Sequence, residues 1–302
     1  MRFTCLISAM LAASLSAGSQ PPRIVGGEVT TRALPAPFVA AFNGLAGSLS
    51  EVTWIGYSVP SPRREGFTCC FNSGDSQFSG TVSGSGSWVA GCRLEPGAVV
   101  QGTGAGPAAP PSGPIKLEGP ERANVLFRIE GGRVERIRAF SEGCDLDAGG
   151  RPVVWLDQVQ PADSVALLAS IADGAARRDR TVNGALSAIA LHAAPEAGSA
   201  LVRLSRDHAT PAIRGEAIFW LAQRAGEKAA AEITSRIDDD PDTEVKRRAV
   251  FALSTLPKDE SVPLLIRIAR THQNAAVRKQ AFFWLGQSKD PRAVEFFAEI
   301  LR

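Results

Sequence analysis

A nine-residue pattern recurs in the last third of the chain at a constant spacing of 32 residues. The full copies begin at Ile213 (IRGEAIFWL), Val245 (VKRRAVFAL) and Val277 (VRKQAFFWL), and a weaker copy begins at Thr181 (TVNGALSAI). In the full copies apolar residues occupy the first, fifth, eighth and ninth places, which is the spacing of a helix with one buried face. A fixed period of this length predicts stacked helical units instead of a single closed core.

Each copy is joined to a second amphipathic segment. These segments cover residues 163–172, 227–237, 261–270 and 292–301. Turn-forming residues separate the units, and Pro241 ends the helix before it because proline has no N–H and disfavours the α conformation of the preceding residue. Each unit is therefore predicted to be a helix, a short turn, a second helix and a longer turn. The first of these segments is predicted to be the second helix of a unit whose first helix is missing.

Two phrases in these copies carry a family resemblance. Residues 240–249 read DPDTEVKRRA, and Ala275, Val277, Arg278 and Ala281 repeat part of this phrase one unit later. The pattern resembles the HEAT repeats, in particular short bacterial units similar to those of phycobilisome lyases. This resemblance implies a mostly α C-terminal HEAT-like α-α solenoid. The resemblance covers about residues 181–302, with a half unit before them. The predicted solenoid domain is residues 161–302, with repeat units near 181, 213, 245 and 277.

The same resemblance implies a ladder of Asp-to-Arg contacts between units. Its candidates in the middle copy are Asp240, Val245 and Arg247. The copy at 213 begins Thr210–Pro211–Ala212 and has no acid at this place, so the ladder is not expected there.

Residues 1–17 have the organisation of a secretory signal peptide. Arg2 supplies a positive charge, residues 5–15 are almost entirely apolar or small, and Ser16–Ala17 supplies small residues for cleavage. This apolar stretch is shorter than the ~20 residues that cross a bilayer, and no later segment is long and apolar enough. We therefore expect an exported protein, periplasmic or secreted, with no membrane span after removal of the signal.

Four cysteines follow the signal, and all of them precede the repeats. They are Cys69, Cys70, Cys92 and Cys144. An even number in an exported protein indicates two structural disulfides, so we expect a disulfide-bearing front domain. Three pairings are open, and a bond between the neighbours Cys69 and Cys70 requires a strained ring. Each of these two is therefore expected to pair with Cys92 or Cys144.

Residues 18–160 predict a small strand-rich domain, β or α+β. Strands are predicted at residues 51–59, 87–90, 124–130, 133–140 and 152–157. Gly131–Gly132 predicts a hairpin between two of them. The Gly- and Pro-rich segment 102–114 predicts an exposed loop, while residues 35–42 fit either a helix or a strand. The short connection at 157–161 predicts that this domain packs on the helices.

A second resemblance covers nearly the whole chain. Residues 134–147 (VERIRAFSEGCDLD) and the following Val154–Trp155–Leu156 are similar to segments of exported bacterial proteins that end in HEAT repeats. This resemblance implies no activity.

No catalytic or metal-binding constellation is evident in the sequence. Residues 23–27 (RIVGG) match the activation site of trypsin-like proteases, but a serine protease needs a histidine base beside its serine. The first histidine is His192, inside the repeats. The HEAT resemblance also admits a di-iron hydroxylase, whose His-Glu pairs this chain lacks, or a bilin lyase. His192, His208 and His272 are interpreted as solvent-exposed turn residues, and no cofactor is expected.

Neither the charge nor the aromatic residues indicate a ligand other than a protein. The chain has 33 Lys and Arg against 31 Asp and Glu, a net charge of +2. Nucleic-acid surfaces show clustered, unbalanced positive charge, so no nucleic-acid partner is expected. Trp220 and Trp284 share the eighth place of their copies, on the buried stripe, and are interpreted as core residues.

The sequence therefore predicts a non-enzymatic protein-binding or scaffolding protein of the bacterial envelope. Solenoids present an extended curved surface, here to a protein or peptide partner on the concave face. The second helices are expected to line that face, with Arg236, Arg267 and Arg270 as candidate partner-binding residues. Two alternatives stay open. One is an enzyme of lyase or hydroxylase type, and the other is a solenoid that braces a functional front domain.

Overall fold

The computed structural model describes residues 21–62, 92–95, 122–142, 144–225 and 229–302. Five sequence predictions lie outside these residues: the signal peptide at 1–17, the strand at 87–90, the loop at 102–114, Cys69 and Cys70.

Five strands of the front part form one sheet. They are β2 (Val29–Ala33), β3 (Thr53–Pro60), β5 (Arg122–Glu130), β6 (Arg133–Ser141) and β8 (Val153–Asp157). Their order is β2-β8-β3-β5-β6, with β5 antiparallel to β3 and β6, and β8 parallel to β2 and β3. Gly131 and Gly132 close the predicted hairpin with φ of 56° and 74°, a conformation that glycine adopts without strain. The strands predicted at 51–59, 124–130, 133–140 and 152–157 are thereby confirmed.

Three short strands cover one face of this sheet. They are β1 (Ile24–Val25), β4 (Cys92–Arg93) and β7 (Leu146–Asp147), in the order β1-β7-β4. Side chains alternate along β3, so that Trp54 packs with Leu94 and Leu146. Ile55 and Tyr57 belong to the core on the opposite face, which is formed with the helices. Burial on both faces explains why β3 is an almost uninterrupted apolar run.

The described part of the chain contains ten helices. They are α1 (Phe38–Ser48), α2 (Pro161–Asp173), α3 (Arg180–Ala190), α4 (Pro195–Asp207), α5 (Pro211–Ala225), α6 (Ala230–Asp239), α7 (Thr243–Ser254), α8 (Lys258–Thr271), α9 (Ala275–Ser288) and α10 (Pro291–Ile300). The repeated pattern forms α3, α5, α7 and α9, and the second segments form α2, α6, α8 and α10. The ambiguous segment at 35–42 enters helix α1, and helix α4 is an element that was not predicted from the sequence.

The helices of the array form two rows. In the first row α3, α5, α7 and α9 pack closely on one another, whereas α6 and α8 approach each other little. Ala217, Ala249 and Ala281, at the fifth place of each copy, are fully buried and small enough for close packing. In a curved two-row stack the more closely spaced row lies inside, so these helices form the inner row, and α2, α4, α6, α8 and α10 form the outer row. The expectation that the second helices line the concave face is therefore wrong.

One continuous core joins the sheet to the array. It includes Tyr57 and Phe127 of the sheet together with Ile189 of α3. Helix α3 lies directly on β6 because Gly184 has no side chain there. A Cβ at this position would lie 2.4 Å from the carbonyl oxygen of Ile137. The expectation that the two parts of the chain pack together is confirmed.

A buried ion pair connects successive units. Arg214 donates to the two carboxylate oxygens of Asp240 at 2.8 and 2.9 Å. Burial is the largest single influence and favours the neutral acid. The hydrogen bonds from Arg214 and from the N–H of Asp242, together with the charges of Arg214 and Arg236, outweigh it and lower the pKa of Asp240. The ladder predicted through Arg247 is wrong, because Arg247 pairs with Glu244 at the surface. The copy that lacks its own acid supplies the basic partner instead.

The same place in every full copy holds a cation that binds the preceding turn. These cations are Arg214, Lys246 and Arg278. Lys246 Nζ donates to the carbonyl oxygen of Ile237 at 2.9 Å, and Arg278 Nη1 donates to that of His272 at 2.7 Å. Both acceptors lie at the C-terminal end of an outer-row helix, where carbonyl groups lack partners within the helix.

The two turn histidines also connect units. Nδ1 of His208 accepts from the N–H of Thr210 at 3.0 Å, and its Nε2 donates to the carbonyl oxygen of Ala172 at 3.2 Å. His272 makes the same pair of bonds with the N–H of Asn274 and the last turn of α6. Both histidines lie in turns as predicted, at the ends of α4 and α8. Their predicted solvent exposure is wrong, because His208 is buried and His272 is only partly exposed, and the same holds for His192, which is fully buried.

We predict that Asp240→Ala lowers the free energy of unfolding by about 3 kcal/mol, because it leaves the guanidinium of Arg214 buried without its counter-ion. Urea denaturation measures the change. Asp173→Ala is the matched control, since Asp173 pairs with Arg203 where both side chains are more than two-fifths exposed. The control should cost less than about 1 kcal/mol. Equal losses in the two variants would contradict a structural role for the buried pair.

Candidate functional site

An open groove of about 460 Å³ lies on the surface of the inner row, across α5, α7 and α9. Its lining residues are Gly215, Glu216, Phe219, Glu244, Arg247, Arg248, Phe251, Gln280 and Trp284. A second hollow of about 340 Å³ shares Arg247 and Gln280 with it and is completed by Ala276, Lys279 and Phe283. The two hollows therefore form one continuous surface, which we call the inner groove.

Three neighbouring aromatic rings, which we call the aromatic stack although the third is tilted by 35° from the second, form the apolar part of the inner groove. The rings of Phe219 and Phe251 are parallel within 5°, with centroids 5.8 Å apart, and the centroid of Trp284 lies 4.9 Å from that of Phe251. Trp220 is buried in the core as expected. Trp284 is half-buried: it packs against the same core and also lines the groove, so its interpretation as a core residue is confirmed only in part.

The indole N–H of Trp284 is a donor without a partner. Its Nε1 is inaccessible to solvent and meets no acceptor among the described residues. A buried donor in this state costs free energy, because it has lost its hydrogen bond to water.

One end of the inner groove is held by a charged cluster. Oε2 of Glu216 accepts from Arg178 at 2.7 Å and from Arg248 at 2.9 Å. The side chain of Arg248 crosses over Gly215, where a Cβ would lie 2.6 Å from Arg248 Cδ. The carboxylate of Glu216 is thus neutralised within the protein by two guanidinium groups.

The centre of the inner groove carries a more loosely held cation. Arg247 Nη1 lies 2.9 Å from Glu244 Oε2, with 45% and 63% of the two side chains exposed. Its Nε and Nη2 are 3.4 Å from Oε1 of Gln280, which is long for a hydrogen bond. Exposed pairs of this kind contribute less than about 1 kcal/mol, so Arg247 is free to exchange its partners.

The partner-binding residues predicted from sequence lie on the outer row and are not brought into one site. Arg236 on α6 is mostly buried and pairs with Glu232. Arg270 on α8 pairs with Glu299 and lies 5.0 Å above the ring of Phe296. Arg267 on α8 is exposed to solvent. Their role in partner binding stays a prediction.

Sequence reasoning missed the inner groove although the repeat contained a signal for it. The third, fourth and seventh places of the copies lie beside the buried stripe, and these places line the groove. The seventh place is aromatic in every full copy, as Phe219, Phe251 and Phe283. A large aromatic residue repeated next to, but outside, the buried stripe was the observation that could have indicated this surface.

A serine–histidine pair that the sequence did not reveal lies between the sheet and the helices. Ser164 Oγ is 2.7 Å from Nε2 of His192 and 2.6 Å from the hydroxyl oxygen of Tyr57. Nδ1 of His192 donates to the carbonyl oxygen of Ala188 at 2.8 Å, because a carbonyl only accepts. In the neutral ring Nε2 therefore accepts from Ser164, which in turn accepts from Tyr57.

This pair has the distances of a nucleophile and its base, but its surroundings are those of a structural link. All three side chains of the network are 0% exposed. Burial lowers the pKa of His192 to about 4, with a smaller contribution in the same direction from the charge of Arg224. The network joins β3, α2 and the end of α3 without contact to solvent, so it binds the sheet to the array.

The described residues hold no group of three or more His, Cys, Asp or Glu side chains that could bind a metal ion. Within the same residues, none of the helices is long and apolar enough to cross a membrane. Cys144 is buried, two residues before Leu146, which is the pairing partner of Cys92 in the small sheet. The disulfide pairing stays a prediction.

Residues 230–302, from α6 to the end of α10, match the family model of HEAT repeats. This segment is a HEAT-repeat array. A search of curated proteins finds no match for the chain.

Three solved structures that match part of this chain share little sequence with it. Human deoxyhypusine hydroxylase is 18% identical over 41% of this chain and 43% of its own, with a TM-score of 0.35. The complex of CpcE and CpcF of phycocyanin lyase from a Nostoc species is 16% identical over 46% of this chain and 88% of that chain, with a TM-score of 0.37. E. coli YibA is 20% identical over 46% and 54%, with a TM-score of 0.33. This chain thus spans less than half the length of the hydroxylase. With TM-scores this low, no function is inferred from any of these structures.

We predict that His192 makes the protein less stable in acid. Its folded pKa of about 4 lies below the ordinary value of 6.5, so the unfolded chain binds the proton first as the pH falls. The free energy of unfolding should therefore fall between pH 6.5 and pH 4. Urea denaturation at pH 7 and pH 4.5 should show a loss about 2 kcal/mol larger than in His192→Gln, which cannot titrate. The same pH dependence in both proteins would contradict the assignment.

Proposed function

We propose that the chain is a non-enzymatic binding or scaffolding protein whose partner, a protein or peptide, occupies the inner groove. The observation that carries this proposal is the aromatic stack of Phe219, Phe251 and Trp284, which is partly exposed in the groove beside the loosely held Arg247. Aromatic residues and arginine are enriched at protein interfaces and at their energetic centres. HEAT-like arrays present such residues on an extended curved surface.

The proposed function includes no catalysis, because the side chains that could react are buried. Ser164 and His192 have suitable distances for acyl transfer, but a substrate cannot approach side chains that are fully buried in the shared core. The same core makes the sheet a structural cap of the array. The groove is therefore favoured over the front part as the functional surface.

We further propose that the protein is exported, to the bacterial periplasm or beyond the cell, and that disulfides stabilise its front part. Residues 1–17 and the even set Cys69, Cys70, Cys92 and Cys144 support this. Cell fractionation and peptide mapping under non-reducing conditions test it. A cytoplasmic protein with four free thiols would overturn this part of the proposal.

Site-specific photo-crosslinking of the full chain in its native host tests the site. A photoreactive residue at Gln280, in the middle of the inner groove, should yield a discrete crosslinked product. The same residue at Arg267, on the outer row, serves as the matched control and should yield none. A product at Arg267 alone would move the site to the outer row. No product at either position would contradict binding of a macromolecule.

Charge reversal separates the two candidate surfaces. Arg247→Glu should reduce recovery of the product formed at Gln280 by about tenfold or more, because buried or central arginines at interfaces contribute above 1 kcal/mol. The double variant Arg267→Glu, Arg270→Glu should leave recovery unchanged. Quantitative mass spectrometry of the product provides the measurement. Loss in the double variant alone would support the sequence-based placement of the partner instead.

A further inference from the structure

We propose that the occupant of the inner groove is an extended acidic segment of a partner protein. In this proposal, which rests on the proposed function, an apolar side chain of the segment packs on the aromatic stack while a carboxylate binds Arg247. The inference concerns the chemistry of the partner and is carried by the charges, the unsatisfied donor and the shape of the groove.

The first argument is the charge around the groove. Arg178, Arg248 and Arg247 carry three positive charges, and Lys279 adds a fourth in the adjoining hollow. The carboxylates that face them are those of Glu216 and Glu244. The chain as a whole is nearly neutral, so this surplus is local. A surface with a positive surplus attracts an acidic segment and repels a basic one.

The second argument is that the positive charge is available at one point in particular. Glu216 already accepts from two guanidinium groups, which leaves that cluster satisfied. Arg247 is held by an exposed carboxylate and a long contact to Gln280. Replacing the exposed Glu244 by a carboxylate of a partner that lies inside the groove gives a better shielded, bidentate pair.

The third argument is the donor that has no partner. Trp284 lines the same groove, and its Nε1 is inaccessible to solvent and has no acceptor among the described residues. An acidic segment brings both carboxylate and backbone carbonyl oxygens, and either of them satisfies this N–H once the indole ring turns far enough to expose it to the groove. A basic side chain offers no acceptor.

The shape of the groove favours an extended segment over a compact ligand. The two hollows meet at Arg247 and Gln280, so a ligand that follows both crosses the middle of the positive surplus. Three helices that pack about 10 Å apart span roughly 20 Å, which an extended chain covers with about six residues. Phe283, 53% exposed at the far hollow, offers a second apolar contact.

Two peptides that differ only in charge test this inference on the mature full-length protein. Fluorescently labelled hexapeptides alternate either Glu or Lys with the same Phe and Leu residues. Anisotropy titration should give at least a tenfold lower Kd for the acidic peptide, and added salt should weaken it. Equal affinity for both peptides, or no binding of the acidic peptide at millimolar concentration, would overturn the inference.

Variants tie the preference to the groove. Arg247→Gln should weaken the acidic peptide about tenfold, and Trp284→Phe, which keeps a ring but removes the N–H, should weaken it several-fold. Arg267→Gln on the outer row is the matched control and should bind as the unaltered protein does. Thermal unfolding checks that each variant is folded. Unchanged binding by Arg247→Gln would overturn the assignment of the carboxylate.

The peptide experiment can fail while the proposed function holds, so the two proposals are tested separately. A crosslinked product at Gln280 together with no preference between the peptides would leave a binding groove and reject an acidic partner. A single-stranded oligonucleotide, included as a third probe, should not bind through Arg247. Tighter, Arg247-dependent binding of the oligonucleotide than of the acidic peptide would reject a protein segment as the occupant.

Discussion

The packing of α3 on β6 is the contact on which the rest of the structure depends. A stack of helix pairs leaves an apolar face uncovered at each end, and the sheet covers the first of these. The close approach requires Gly184, because any side chain there would meet the backbone at Ile137. Tyr57, Ser164 and His192 add hydrogen bonds at the same junction. The front part is therefore the cap of the array and shares its core.

From this cap onward, the repeated cation sets the relation between successive units. Arg214, Lys246 and Arg278 bind the turn before them, and Arg214 also reaches Asp240 in the next turn. Because each inner-row helix is held in the same way, equivalent places of the copies stand side by side. The aromatic and charged places beside the buried stripe thereby merge into one groove. Its existence is a consequence of the regular stacking.

Much of the architecture could be predicted because its signals are local. The 32-residue period and the apolar stripe identify the inner-row helices, and the paired glycines at 131 and 132 identify the hairpin. Helix α4 was not identified, since its unit diverges most from the others. The candidate site was less predictable. The prediction of Arg236, Arg267 and Arg270 depends on the second helices lying on the concave side. The spacing of the repeat does not show which row of helices is on that side.

The sequence by itself determined the type of most elements, the number of residues in a unit and which positions of each copy are buried. These properties follow from the hydrophobic spacing along one helix. Only the tertiary structure decided which row lies inside, that Arg214 and not Arg247 binds Asp240, and that the turn histidines bridge units. It also brought Ser164 beside His192 and left Trp284 half-buried at the surface. These relations depend on how closely separate helices approach one another, and that distance is set by packing between distant parts of the chain.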